Sequence, residues 1–147
     1  MIHIAKPFLG DEEKLAVADV LDSGMIASGA VVTEFQDAFA RYIGCTHGIA
    51  ASSGTTALEV ALRAADIGAG DKVLTTPFSF IASTNAIIYV GAVPVFADIN
   101  PNTFNICPAA IEAALARDPQ IKALLIVHLL GIHAIWTRLC HWLKNII

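Results

Sequence analysis

Charge and aromatic side chains are scarce in this 147-residue sequence, at 15% and 7%, and it has three cysteines, Cys45, Cys107 and Cys140. Three widely spaced thiols do not make a disulfide framework; they fit a reducing cytoplasm, with packing as their default role. A net charge of −4 gives no reason to expect nucleic acid or an anionic membrane as partner. The stretch Ala123–Leu130 is apolar apart from His128, but it falls far short of the roughly 20 residues a spanning helix needs. The opening MIHIAKPFLGDEEK lacks the long apolar core of a signal peptide, so a cytoplasmic chain is expected. Familiar motifs are missing too. No lysine follows the glycine of SSGTTAL, so it is no Walker A loop, and no GxGxxG occurs. His128, His133, Cys140 and His141 lack the compact paired spacing of a zinc set, and no metal site is expected.

What is present is apolar residue, 56% of the total, which excludes disorder and suits a heavily buried α/β domain. GDEEKLAVADVLDSG opens on acids and closes on Ser-Gly, with Leu15, Ala18 and Leu21 at helical spacing. VVTEFQDAFARYIG sets Phe35, Phe39 and Tyr42/Ile43 on one helical face and stops at Gly44. A third helix follows SSGT, with Leu58, Leu62 and Ala65 on its repeat and IGAGD ending it. Strand and helix then alternate: DKVLTTP, FIASTNAIIYVGA, VPVFADI, PAAIEAALARDP, IKALLIVHL. Short connections between such pairs imply a parallel-sheet core with helices on both faces.

Two stretches carry possible chemistry. In ASSGTTALEVAL, Ser52, Ser53, Gly54, Thr55 and Thr56 lead into a helix whose first amides and hydroxyls suit an anion. Capping of that helix by Ser53 or Thr55 accounts for the same residues without a ligand. In TTPFSFIASTNAI the chain leaves the C-terminal end of a strand, the edge where open parallel sheets bind ligands. Phe80 there suits a planar heterocycle, while core packing of Phe78 and Phe80 is the plain alternative. Asp98, after VPVFA, reads as a turn or helix-entry residue.

The ordered set SGTTAL, TTPFSFIASTNAIIYVGAVPVFADINPNTFNI and IVHL resembles the DegT/DnrJ/EryC1/StrS sugar aminotransferases, which are fold-type-I pyridoxal-phosphate enzymes. KPFLGDEE and SGMIASGAVVTEFQDAFARYIG resemble that family's N-terminal segment, so the likeness runs from Ile4 to Leu129. It implies part of a fold-type-I aminotransferase large domain, acting in polysaccharide or sugar biosynthesis by moving an amino group, usually from glutamate, to a keto nucleotide-sugar. It implies that Gly54, Thr55 and Thr56 hold the cofactor phosphate and that Phe80 stacks on the pyridine ring. Ser28 and Gly29 would belong to the loop lining the sugar site; Asn85 and His128 stand at motif positions without an assigned role. A homo-oligomer, dimer or higher, is expected.

In that family the Schiff-base lysine lies in an SF…K segment after VHL, and the carboxylate for the pyridine nitrogen also comes after it. Lys6, Lys14, Lys72, Lys122 and Lys144 do not stand in such a segment, so no catalytic residue is assigned and cofactor binding is expected to be weak or lost. The tail, LLGIHAIWTRLCHWLKNII, departs from the family's style. Codons compatible with it, given one extra T, read LFGHPCDMDALVPLAEEHN, which resembles the family's next segment. The expectation is therefore a division into residues 1–129, the N-terminal part of the large domain, and 130–147, an out-of-frame tail. The alternative is a working tail: Ile132, Trp136, Leu139, Leu143 and Ile147 share a helical stripe that could pack on a sheet or on another chain.

Overall fold

The structure is a computed structural model and describes residues 6–134. Two compact units divide the chain, Met1–Ala50 and Ala51–Ile147.

The first unit is a pair of helices, α1 (Asp11–Ser23) and α2 (Ala30–Ile43). Acids at Asp11, Glu12 and Glu13 suit the N-terminal dipole of α1, and the Glu13 carboxylate accepts the Gly10 N–H at 2.6 Å. Both helices stop at a left-handed glycine, Gly24 (φ 71) and Gly44 (φ 80). The Gln36 side chain accepts the Ala50 N–H at 2.9 Å, drawing the returning chain onto α2. That approach needs Gly48, since a Cβ there would stand 2.5 Å from the Gln36 carbonyl oxygen. Phe35 and Phe39 meet at 5.8 Å along α2 but stay half exposed, and Ala40 is the buried residue of this helix.

The second unit runs α3 (Gly54–Ala64), β1 (Lys72–Thr75), α4 (Ala82–Tyr89), β2 (Val93–Phe96), α5 (Pro108–Arg117) and β3 (Ile121–Leu124), ending in a 3-10 turn at Leu129–Gly131. The sheet order is β2-β1-β3 and both pairings are parallel, with Leu74 opposite Val95 on one side and Leu124 on the other. The helices α3, α4 and α5 and the three strands stand where the sequence rhythm puts them. The strands are shorter than their apolar runs. β3 ends at Leu124 although the run continues to Leu129, because β1, its only partner among the described residues, ends at Thr75.

Alternation along β1 splits the core in two. Val73 packs with Leu62, Ile67, Ala86 and Ile87, from the α3 and α4 side. Leu74 packs with Ile106, Ile111 and Ala114, from the α5 side. Both strand residues are fully buried, so the sheet is covered on both faces at its centre. Two ion pairs fasten the strand beginnings: Lys72 to Asp118 at 2.7 Å, and Lys122 to Asp71 at 3.1 Å.

Candidate functional site

The helix direction sets the site. α3 enters β1 through the short connection 65–71, and α4 enters β2 through Val90–Ala92, so both run back along the strands they precede. Their C-terminal ends are tied together, the Arg63 guanidinium donating to the Tyr89 carbonyl at 3.3 Å and Gly70 N–H to the Gly91 carbonyl at 3.1 Å. Their N-termini therefore stand on the same side of the sheet, at the C-terminal ends of the strands.

At the start of α3, Ser53 caps the helix: its Oγ accepts the Thr56 N–H at 3.2 Å and lies 3.0 Å from Thr56 Oγ1. Ser52 Oγ reaches the same hydroxyl at 3.4 Å. The capping reading of the sequence is thus present in the structure. It leaves the N–H groups of Gly54 and Thr55 without a partner among the described residues, the usual orphan donors of a helix start. Gly54 faces open space, with no atom within 4 Å of a built Cβ.

At the end of β1, Thr75 is buried and donates its hydroxyl to the Leu125 carbonyl at 2.9 Å, closing the strand end onto the β3 side. Thr76 Oγ1 accepts the Phe78 N–H at 3.3 Å and turns the chain outward through Pro77. Phe78 does not enter the core; it stacks on Phe104 at 5.8 Å with both rings about half exposed. Phe80 is 77% exposed, and its carbonyl accepts the Ser83 N–H at the start of α4. Core packing, the plain alternative for both phenylalanines, is therefore not what the structure shows.

The other sequence candidates fall on several elements. Ser28 and Gly29 lie in the first unit, along a cleft of about 520 Å³ lined from α1 to α2. His128 holds the turn after β3: its Nδ1 accepts the Ala134 N–H at 3.0 Å, and its ring meets His133 at 5.3 Å. Asn85 sits in the first turn of α4, its N–H donating to the Ile81 carbonyl. Asp98 is a turn residue, its Oδ1 accepting the Ile99 N–H. Among the described residues no group of three or more His, Cys, Asp or Glu could hold a metal, while Cys140, His141 and Lys144 lie outside them.

Within the second unit the two described lysines stand away from this edge. Lys72 and Lys122 begin their strands at the opposite end and are held by Asp118 and Asp71, and Lys14 pairs with Asp11 in the first unit. The site can offer an anion two backbone donors with hydroxyls beside them, and it can offer a flat ring an exposed aromatic face. It offers no amine. Two features escaped the sequence reading, the Phe78–Phe104 stack and the buried Asn105 beside it. The only local signal was the NPN turn, where Asn100 Oδ1 accepts the N–H of Asn102 and of Thr103.

Comparison with known proteins gives the same picture over most of the chain. Residues 7–140 match the model of the DegT/DnrJ/EryC1/StrS aminotransferase family. The spore coat polysaccharide biosynthesis protein SpsC of Bacillus subtilis is 45% identical over 125 residues, 85% of this chain and 32% of SpsC. The GDP-perosamine synthase of Caulobacter vibrioides is 44% identical over 131 residues, 88% of this chain and 35% of that protein. The crystal structure of NtdA from Bacillus subtilis with bound cofactor PMP superposes with a TM-score of 0.86 at 34% identity, covering 94% of this chain and 32% of NtdA. The chain thus spans about a third of the length of the relatives it matches. No helix among the described residues is long and apolar enough to cross a membrane.

Proposed function

The chain belongs to the DegT/DnrJ/EryC1/StrS aminotransferase family, and we propose that it forms the cofactor-phosphate part of a sugar aminotransferase acting on a keto nucleotide-sugar in polysaccharide biosynthesis. One observation carries the site: the N-terminus of α3, with Gly54 and Thr55 N–H unpaired, stands at the same sheet edge as exposed Phe80. The residues fit the group in part. Gly54, Thr55 and Thr56 would hold the phosphate of pyridoxal phosphate, and Phe80 would cover its ring. When bound in a complete enzyme, that cofactor supplies the electron sink for amino transfer. The chain supplies the phosphate cradle and the ring platform, but none of Lys6, Lys14, Lys72, Lys122 and Lys144 stands in an SF…K segment after VHL, so in this reading the polypeptide by itself binds the cofactor weakly and does not transaminate. A cytoplasmic setting suits its free cysteines Cys45 and Cys107.

The test is titration with pyridoxal phosphate, with inorganic phosphate as competitor. Saturable binding that phosphate displaces, and that Gly54→Ala or Thr55→Val weakens by about tenfold, supports the cradle. The Gly54 Cβ would meet no protein atom, so lost affinity at an unchanged melting temperature reports on the ligand and not on the fold. Turnover of a keto nucleotide-sugar by the 147-residue chain, abolished by replacing one lysine, would overturn the inactive reading.

The tail from Leu130 belongs to the same proposal: a single-base deletion near the Leu129–Leu130 codons placed 130–147 out of frame. Leu130 supports it, an 84% exposed leucine in the left-handed region at φ 54, a poor choice for that position. Sequencing across these codons and onward decides; in the adjacent frame, absence of an SF…K segment rejects the deletion. A second reading, a non-enzymatic chain that self-associates through its apolar tail, draws on the large exposed apolar residues, such as Phe96 and Ile132. An unchanged association state after removal of Leu130–Ile147 would count against it.

A further inference from the structure

Asn105 is only 4% exposed and belongs to neither core cluster. It sits in a loop that is rigid by its own bonds. Asn100 N–H donates to the Asn105 carbonyl at 2.8 Å, Cys107 N–H to the Asp98 carbonyl at 2.8 Å, and Ile99 bridges Ile106. From this base the Asn105 side chain crosses to the turn after β3. Its Oδ1 accepts the Leu129 N–H at 3.0 Å, and its Nδ2 donates to the Ile132 carbonyl at 3.0 Å. A buried amide is suited to this because it holds an acceptor and a donor on one rigid plane. Leucine offers neither, and an ionised aspartate offers no donor.

We propose that Asn105 is the positioning residue of the sheet's C-terminal edge: it fixes the path of the turn 128–132, and with it the place of His128, through backbone atoms alone. This rests on the reading of that edge as the ligand site only for its use, not for its geometry. The loop 99–106 also carries Phe104, whose ring stacks on Phe78 in the segment bearing Phe80. One short loop therefore holds both sides of the edge, the Phe78–Phe80 segment by ring contact and the 128–132 turn by the amide. Since both partners of the amide are main-chain groups, the side chains at 129, 130 and 132 do not enter the clamp. A turn of different sequence is held along the same path.

The test is residue-resolved amide hydrogen exchange on the 147-residue chain, without cofactor, so its failure is distinct from failure of the pyridoxal-phosphate titration. Asn105→Ala is expected to lower protection of the Leu129 amide at least tenfold while leaving Val73 and Leu74, at the sheet centre, unchanged. Asn105→Asp separates the clamp from mere packing. A protonated carboxyl supplies the donor to the Ile132 carbonyl and an ionised one repels it. Burial raises the introduced carboxyl above its ordinary value of about 4. The carboxylate still accepts the Leu129 N–H, so the response is read at the turn's own amides: protection of Gly131 and Ile132 in this variant is expected near wild type at about pH 4.5 and lowered at about pH 8. The titratable groups on the two segments are Asp98, His128 and His133, and the wild-type chain over the same range corrects for them. Unchanged Leu129 protection in Asn105→Ala overturns the proposal. So does an equal loss in Asn105→Asp at both pH values, which would mean packing only. Should Asn105→Ala unfold the sheet, the pH response of Asn105→Asp decides alone.

Discussion

Leu130 and Ser53 show how far single residues decide this structure. Leu130 pays the left-handed penalty, about 1–2 kcal/mol for a residue with a Cβ, with its side chain largely in solvent. Glycine removes that penalty and adds about 0.5–1 kcal/mol of unfolded-chain entropy, so Leu130→Gly is expected to stabilise the chain by on the order of 0.5–1 kcal/mol in urea unfolding. A loss would mean that the leucine makes a contact its exposure hides. Ser53→Ala removes the cap of α3 and should cost about 0.5–2 kcal/mol by the same measurement. Gly48→Ala forces a Cβ to within 2.5 Å of the Gln36 carbonyl and should loosen the first unit. Overpacking of this sort costs about 1–3 kcal/mol, read as faster exchange of the Ala50 amide.

Elements were legible where local chemistry sets them. Gly24 and Gly44 mark the ends of α1 and α2, and Pro108 opens α5 as its place in the sequence foretells. Strand lengths were not legible, because an apolar run such as IKALLIVHL does not show how far its neighbour extends. The candidate site was half legible. The cap and the free amides of α3 follow from SSGTT, but Phe78, for which core packing was the reading, instead stacks on Phe104. Asn105 was invisible, since its partners Leu129 and Ile132 lie far along the chain and offer only backbone. The strand beginnings carry a pH dependence of their own. The Gly68 N–H, followed by Lys122, holds the Asp71 carboxyl below its ordinary value, and Lys72 does the same for Asp118. A carboxyl lowered in the folded state stabilises above its ordinary value and loses that contribution as pH falls through the folded one. The melting temperature should therefore drop below about pH 4, and Asp118→Asn should flatten that drop.

For the whole molecule the two edges of the sheet differ. On β2, Val93 and Ala97 turn their N–H groups to β1, so Pro94 faces outward with no N–H to give. On β3, Leu125 N–H bonds Leu74, so by alternation Leu124 turns its N–H and carbonyl to the open side. No further strand pairs there among the described residues, and the lone charge on β3, Lys122, is already matched by Asp71. Self-association of the 147-residue chain is expected through β3, and Pro94→Val should raise light scattering without altering the far-ultraviolet spectrum.

Polymer chemistry has a term for the difference Pro94 makes. A monomer with one reactive end is monofunctional, and two of them meeting form a closed pair that grows no further. A monomer with two reactive ends goes on adding units without limit. With Pro94 on one rim, this sheet is expected to behave as the first kind, and the N–H that valine restores beside that of Phe96 is expected to move it toward the second.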